Sequence, residues 1–295
     1  MKRMVMAAAA VMMLLAATPW STLAAGYGNP QLLVDTHWLA QHLNDRDLQI
    51  IDMRNSPEEY AAGHIPGAVY LSVNHARVAL KESGFALPPD YEIEERLGQL
   101  GITKETMVIV YDDQGGLNAS RLFFTLEYAG HKKVALLNGG ITKWVAEERA
   151  LSKTVPQVSK MVYQVQAETQ RVTPTSWIAT NLGKPNLALV DARSAAEFRG
   201  EDLRAKRGGH IPGAVNIEWT QNLVGDKTFK PADELLALYE RAGVTKDKTI
   251  VSYCHTMHRG AVTYFTLRLL GYPDVRGYDR SWSEWGNDPA LPVQR

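Results

Sequence analysis

The sequence predicts an α/β protein built from two tandem copies of one unit, each a mainly parallel sheet flanked by helices on both faces. Three observations predict it. The chain repeats itself in order along its length. Each copy alternates short apolar runs with stretches whose apolar residues fall at helical spacing. The 295 residues are enough for two medium-sized cores. Short buried strands separated by helices imply parallel pairing, with the crossovers covering the sheet.

The first copy carries Ile50-Ile51-Asp52-Met53-Arg54, then Glu59-Tyr60, then Gly63-His64-Ile65-Pro66-Gly67-Ala68-Val69. The second carries Leu189-Val190-Asp191-Ala192-Arg193, then Glu197-Phe198, then Gly209-His210-Ile211-Pro212-Gly213-Ala214-Val215. The longer spacing in the second copy places an insertion at about 200–208. Further on, Met107-Val108-Ile109-Val110-Tyr111 matches Thr249-Ile250-Val251-Ser252-Tyr253, and 123–130 matches 264–271. Each copy closes on tryptophan, with Trp144 in the first and Trp282 and Trp285 in the second. Buried strands are expected at 48–52 and 107–111 and a helix over 119–128. The two domains fall at 29–150 and 172–295, joined by a linker at 151–171 that contains Pro156. Features present in both copies are read as structural: His64 and His210, the turn-forming Pro66 and Pro212, and the pair Asp52 and Arg54, which recurs as Asp191 and Arg193. Trp282 and Trp285 are expected in the core or in a pocket wall.

The N-terminus reads as a signal peptide over 1–25: Lys2 and Arg3, an uncharged apolar run over 4–17, Pro19 and Trp20, then the small residues around Ala24. The run is short for a membrane span. The protein is therefore expected in the periplasm or secreted, with no membrane segment after cleavage. Without Lys2 and Arg3, the 32 Lys and Arg fall to 30 against 32 Asp and Glu. A near-neutral chain without a basic stripe gives no reason to expect nucleic acid.

Cys254 is the single cysteine, so no disulfide forms within the chain. A lone thiol in an exported protein is a liability unless its chemistry is used. It ends the apolar run 249–253 and begins the segment Cys254-His255-Thr256-Met257-His258-Arg259, before a helical stretch starting near Gly260. Loop amides, the positive end of that helix, and cationic or hydrogen-bonding His255, His258 and Arg259 would favour the thiolate. Two histidines and a cysteine packed this tightly do not offer metal geometry, so neither metal nor cofactor is expected.

The segment Tyr60…His64-Ile65-Pro66-Gly67-Ala68 and the segment 278–285 resemble the two signatures of the rhodanese family of sulfurtransferases in its tandem-domain form, except that Arg280 stands where glycine is usual. The resemblance covers nearly all of the chain after residue 25. It implies two rhodanese-like domains with the catalytic Cys254 in the second. The first is expected to be silent, because Asp112 stands at the cysteine position. It also implies covalent transfer, in which a thiolate takes a sulfane sulfur from a donor and a thiophilic acceptor removes it. By resemblance, Asp191 and Arg193 lie beside the active loop and join Arg259, His255, His258, Thr256 and Met257 as substrate-binding candidates. A small anionic donor such as thiosulfate suits the basic loop, with cyanide, a thiol or a thiol-bearing protein as acceptor. The related 3-mercaptopyruvate sulfurtransferases carry a different loop, and their aspartate and histidine positions are Asn74 and Phe85 here. Glu197 stands where a substrate-binding arginine is common and is expected to repel an anion unless Arg204, Lys206 or Arg207 compensates. Two further readings remain open at this point. A cysteine phosphatase or arsenate reductase would have five residues between cysteine and arginine, against four here. A non-enzymatic persulfide carrier would load Cys254 without turnover.

Overall fold

A computed structural model describes residues 26–81 and 84–295; the expected signal peptide, 1–25, lies outside them. The first copy contains β1 (Leu33–Val34), α1 (Thr36–His42), β2 (Leu48–Asp52), α2 (Pro57–Ala62), β3 (Ala68–Tyr70), a hairpin of β4 (Val78–Ala79) and β5 (Phe85–Ala86), α3 (Asp90–Gln99), β6 (Met107–Tyr111), α4 (Leu117–Tyr128), β7 (Val134–Leu137) and α5 (Gly140–Ala146). The second contains α6 (Thr175–Asn181), β8 (Leu187–Asp191), α7 (Ala195–Arg199), β9 (Val215–Asn216), α8 (Ala232–Arg241), β10 (Thr249–Tyr253), α9 (Arg259–Leu269), β11 (Val275–Gly277) and α10 (Ser281–Trp285). Both sheets are parallel, in the orders β1-β7-β6-β2-β3 and β11-β10-β8-β9. Val172 bridges Gly277 in parallel and completes the second sheet as β1 completes the first. The register repeats too: Asp52 faces Tyr111 and Asp191 faces Tyr253. Among the described residues no helix is long and apolar enough to cross a membrane.

Local chemistry sets the helix starts. The Asp35 carboxylate accepts from the Trp38 amide at the start of α1, and Ser56 caps α2 ahead of Pro57. Ser194 and Glu197 form a capping box at α7. Along the strands the side chains alternate. Ile50 and Ile109 pack with Trp144 on one face of the first sheet, while Ile51, Val108 and Val110 face the other way. The outer face of the second sheet is closed by Val251, Trp282 and Trp285.

The inner faces of the two sheets contribute to one shared apolar cluster. At its centre α4 lies against α9, and both helices are buried almost all round. Phe123 meets Phe265 edge-on with ring centres 4.9 Å apart, and Phe124 meets Tyr264 at 5.0 Å. The segment 151–171 is strapped along the first domain. The Met161 amide donates to Gly98 O at 2.9 Å and the Glu168 amide to Tyr128 O at 2.7 Å.

The recurring Asp-x-Arg pairs are buried clamps. Arg193 donates to Asp191 through Nε at 2.9 and 3.0 Å and through Nη2 at 2.6 Å, and Nη2 also reaches Gly209 O at 2.8 Å. Arg54 does the same with Asp52 and Gly63 O. His64 and His210 stack on Tyr60 and Phe198, with ring centres 3.9 and 3.6 Å apart, and each Nδ1 donates to that residue's carbonyl at 2.9 Å.

Polar contacts lock the two halves in a pseudo-symmetric way. Asp279 accepts from Arg121 Nη1 at 2.7 Å and from the Leu87 amide at 2.6 Å. Conversely, Asn138 Oδ1 accepts from the Phe229 amide at 3.0 Å. The second copy thus lays the turn closed by its antiparallel Leu223–Phe229 bridge on the first, as the β4–β5 hairpin of the first lies on the second. Gly84, with φ +79°, lets the first hairpin cross α10, where a Cβ would collide with Ser283.

Arg121 is fully buried, so its loss strands the Asp279 carboxylate in the domain contact. Arg121→Ala is expected to lower the unfolding free energy by about 3–5 kcal/mol in urea denaturation. A loss below about 1 kcal/mol would show that the clamp is not needed.

Candidate active site

Cys254 follows β10 at the carboxyl end of its sheet, where ligands bind in open parallel α/β folds. Its side chain is 1% exposed. The loop that follows has an internal standard in the first copy, because 112–119 aligns with 254–261 without a gap. Asp112, at the end of β6, accepts four backbone N–H groups there. Gln114 and Gly116 reach Oδ1 at 2.9 Å each, and Asn118 and Ala119 reach Oδ2 at 2.8 and 3.0 Å. Burial raises this carboxyl above its ordinary range, and the four amide hydrogen bonds oppose that rise. The loop is therefore an anion nest at the start of a helix, filled in the first copy by the chain's own carboxylate.

In the second copy the Thr256 amide lies 3.4 Å from Cys254 Sγ. Ser281 Oγ accepts from the Cys254 amide at 3.3 Å and the Met257 amide at 3.0 Å, and donates to Tyr278 O at 2.7 Å. This hydroxyl fixes the curl of the loop from α10. Met257 holds φ +53° where the first copy has Gly115 at +75°. Its side chain turns into the shared core and is fully buried, so Met257 is a packing residue and does not line the pocket, contrary to the expectation.

The charges also differ from expectation. Arg259 directs Nη1 and Nη2 to the two oxygens of Glu197 at 2.5 and 2.8 Å. Burial would raise the Glu197 carboxyl, but the hydrogen bonds and charge of Arg259 hold it down to about 2. Glu197 therefore does not confront an incoming anion alone; it neutralises the loop arginine. Arg204 Nη1 stands 3.7 Å from the same carboxylate. Arg207 is committed to carbonyls near the C-terminus, including Trp285 O and Leu291 O at 2.7 Å each. The Lys206 amide bonds Asn287.

Both loop histidines are neutral near pH 7, not cationic. Burial, then the charge of Arg204, lowers His255 to about 4. Burial, then Arg77 and Arg121, lowers His258 to about 3. The Asn118 amide nitrogen donates to Met53 O and Asn55 Oδ1 at 2.8 and 2.9 Å, so its oxygen accepts. His258 Nε2 donates to that oxygen at 2.7 Å, which leaves Nδ1 to accept from Arg77 Nη1 at 3.4 Å.

These groups surround a cavity of about 400 Å³ between the two domains. Cys254, His255, Thr256, His258, Arg259 and Arg204 line it from the second domain. Arg77, Gly84, Phe85 and Leu117 line it from the first. Asp191 and Arg193 do not line it. Their charges satisfy each other, and Arg193 lies over the Trp282 ring at 4.6 Å. Sequence reasoning missed Arg77, because no repeated motif marks the hairpin that crosses from the other copy, and Leu117, which starts α4 at the position of Arg259 in the silent loop. Among the described residues, no three His, Cys, Asp or Glu side chains gather to hold a metal ion.

Residues 35–147 and 174–288 each match the rhodanese-like domain family. The chain belongs to that family. It is 37% identical over 263 residues to a thiosulfate sulfurtransferase of Azotobacter vinelandii, covering 89% of this chain and 97% of that protein. It is 39% identical over 291 residues to the sulfur carrier protein TtuD of Thermus thermophilus, covering 92% and 99%. A 3-mercaptopyruvate sulfurtransferase of Escherichia coli is 32% identical, covering 88% and 97%. Among solved structures, the anaerobic ergothioneine biosynthesis enzyme of Chlorobium limicola superposes with a TM-score of 0.80 at 26% identity, covering 90% of this chain and 71% of that one.

Because the Glu197 carboxyl is depressed from an ordinary 4.5 to about 2, its stabilising contribution is complete above pH 4.5 and is lost as pH falls toward 2. The melting temperature of Glu197→Gln is therefore expected to fall less steeply than wild type across that window. Equal slopes in thermal scans would show that the Arg259 pair adds no pH-dependent stability.

Proposed function

We propose that this rhodanese-family sulfurtransferase moves a sulfane sulfur from a small anionic donor, thiosulfate before 3-mercaptopyruvate, to cyanide or a thiol. The observation that carries the reading is the position of Cys254: it heads a loop whose twin in the same chain already holds an anion on four amides. A persulfide anion on Cys254 is the charge such a loop would stabilise. Once the thiol proton has passed to bulk base, the thiolate attacks the outer sulfur of thiosulfate. The bond between the two donor sulfurs breaks, its electron pair leaves with sulfite, and the outer sulfur remains on Cys254 as a persulfide anion. Cyanide or a thiolate then attacks that outer sulfur. The sulfur–sulfur bond breaks toward Cys254 and regenerates the thiolate.

Thiosulfate is favoured because Asn74 and Phe85 occupy the positions where mercaptopyruvate enzymes carry aspartate and histidine. Arg77, Arg204 and Arg259 against Glu197 leave the pocket net positive. The name of the Thermus relative supports a second reading, in which the Cys254 sulfur is delivered to a protein thiol and small acceptors turn over poorly.

We also infer, from the first 25 residues of the sequence, that the protein is exported and cleaved. Amino-terminal sequencing of the protein from its native cell is expected to start near Gly26. An intact Met1 would overturn export.

Intact-mass spectrometry after exposure to thiosulfate is expected to show a gain of one sulfur, about 32 Da, that cyanide removes. Cys254→Ser is expected to show neither the gain nor thiocyanate production. Full activity in that variant would remove the proposal.

A further inference from the structure

The arginines around the pocket differ in what already holds them. Arg259 gives both terminal nitrogens to Glu197. Arg193 is held by Asp191, and Arg121 by Asp279 and by Ala76 O. Arg77 is different. It pairs with no carboxylate among the described residues, and its Nε is buried without a hydrogen-bond partner. Among the described residues its side chain makes one polar contact, the 3.4 Å approach to His258 Nδ1, on the loop that carries the thiol.

Arg77 is also held still. Its guanidinium lies 3.9 Å above the centre of the Phe85 ring, which fixes the plane. The preceding carbonyl, Ala76 O, accepts from Thr125 Oγ1 at 2.9 Å and Arg121 Nε at 3.2 Å, which ties this turn of chain to α4. A fixed, half-buried guanidinium with an unused N–H, facing the same cavity as the nucleophile, is built to receive an anion in a planar hydrogen-bonded grip. Arg204, half exposed and drawn toward Glu197, is a weaker competitor for that role.

We propose that Arg77, from the domain without the nucleophile, is the residue that recognises the negatively charged head of the sulfur donor. The head, the sulfonate end of thiosulfate, would sit on the first domain while the outer sulfur meets Cys254 on the second. The idea rests on Cys254 as the sulfur acceptor. It divides the labour: charge selection belongs to the silent copy and bond making to the active one.

The test uses the full chain, in which Cys254 is the single thiol. Wild type, Arg77→Gln and Arg77→Lys are labelled with neutral methyl methanethiosulfonate and with its sulfonate-bearing ethyl analogue, and the thiosulfate–cyanide kinetics are measured alongside. Arg77→Gln is expected to lower the anionic-to-neutral labelling ratio about tenfold and to raise KM for thiosulfate about tenfold, with kcat within about threefold. Arg77→Lys is expected to restore most of the ratio. If Arg77→Gln does not fold, Arg77→Met, which keeps its stem on Phe85, is read by the same ratio. An unchanged ratio, or both reagents slowed in parallel as a purely structural role would produce, overturns the proposal. Absence of thiosulfate turnover in wild type would count against thiosulfate as donor, while the labelling ratio would still decide the role of Arg77.

Discussion

The packing of α4 on α9 is the constraint on which the rest of the molecule depends. These helices begin at the two loops, one headed by Asp112 and the other by Cys254, so their contact sets how the loops face the opposite domain. The same contact brings Asn118 to His258, Arg121 to Asp279 and Leu117 to the cavity wall. The apolar driving force is large, with each fully buried side chain worth about 1.5–3 kcal/mol. The polar cross-links act mainly as selectors of one alignment, because a buried pair is costly when misaligned. A pocket with walls from both domains thus comes from a single core.

The architecture was legible in the sequence because the repeat carries it. Strands at 48–52 and 107–111 match β2 and β6, and the apolar pattern over 119–128 lies within α4. The Asp-x-Arg and His-Ile-Pro-Gly-Ala segments are structural in both copies, as their recurrence suggested. The site was legible only where it is local. The loop from Cys254 to Arg259 is a continuous segment, so its chemistry could be read directly. Arg77 lies 177 positions away on a hairpin from the other copy, and no spacing rule joins them. The charge state of the histidines was also hidden. The sequence left His255 and His258 as cationic or hydrogen-bonding groups, and burial with the neighbouring arginines decides for the neutral form. Met257 was misplaced for a related reason: the left-handed turn at this residue sends the side chain inward.

Glu197, which stands where the family commonly has an arginine, and Met257, which stands where the first copy has Gly115, both have physical explanations. Glu197 caps α7 and holds Arg259, so one carboxylate starts a helix and pins the last residue of the loop. Met257 replaces the glycine of the silent loop and ties the loop to the core through its side chain. Both residues tie the loop to its surroundings, leaving the half-exposed Arg204 on the cavity wall.

Asp112 has a meaning beyond silence. Counting bonds outward from Cβ, an aspartate places its charged oxygen where a cysteine persulfide places its terminal sulfur. The four amides around Asp112 therefore surround a permanent oxygen analogue of the reaction intermediate of the other domain. The chain thus carries two versions of one loop: one copy passes the negative end on, and the other has it fixed in its sequence.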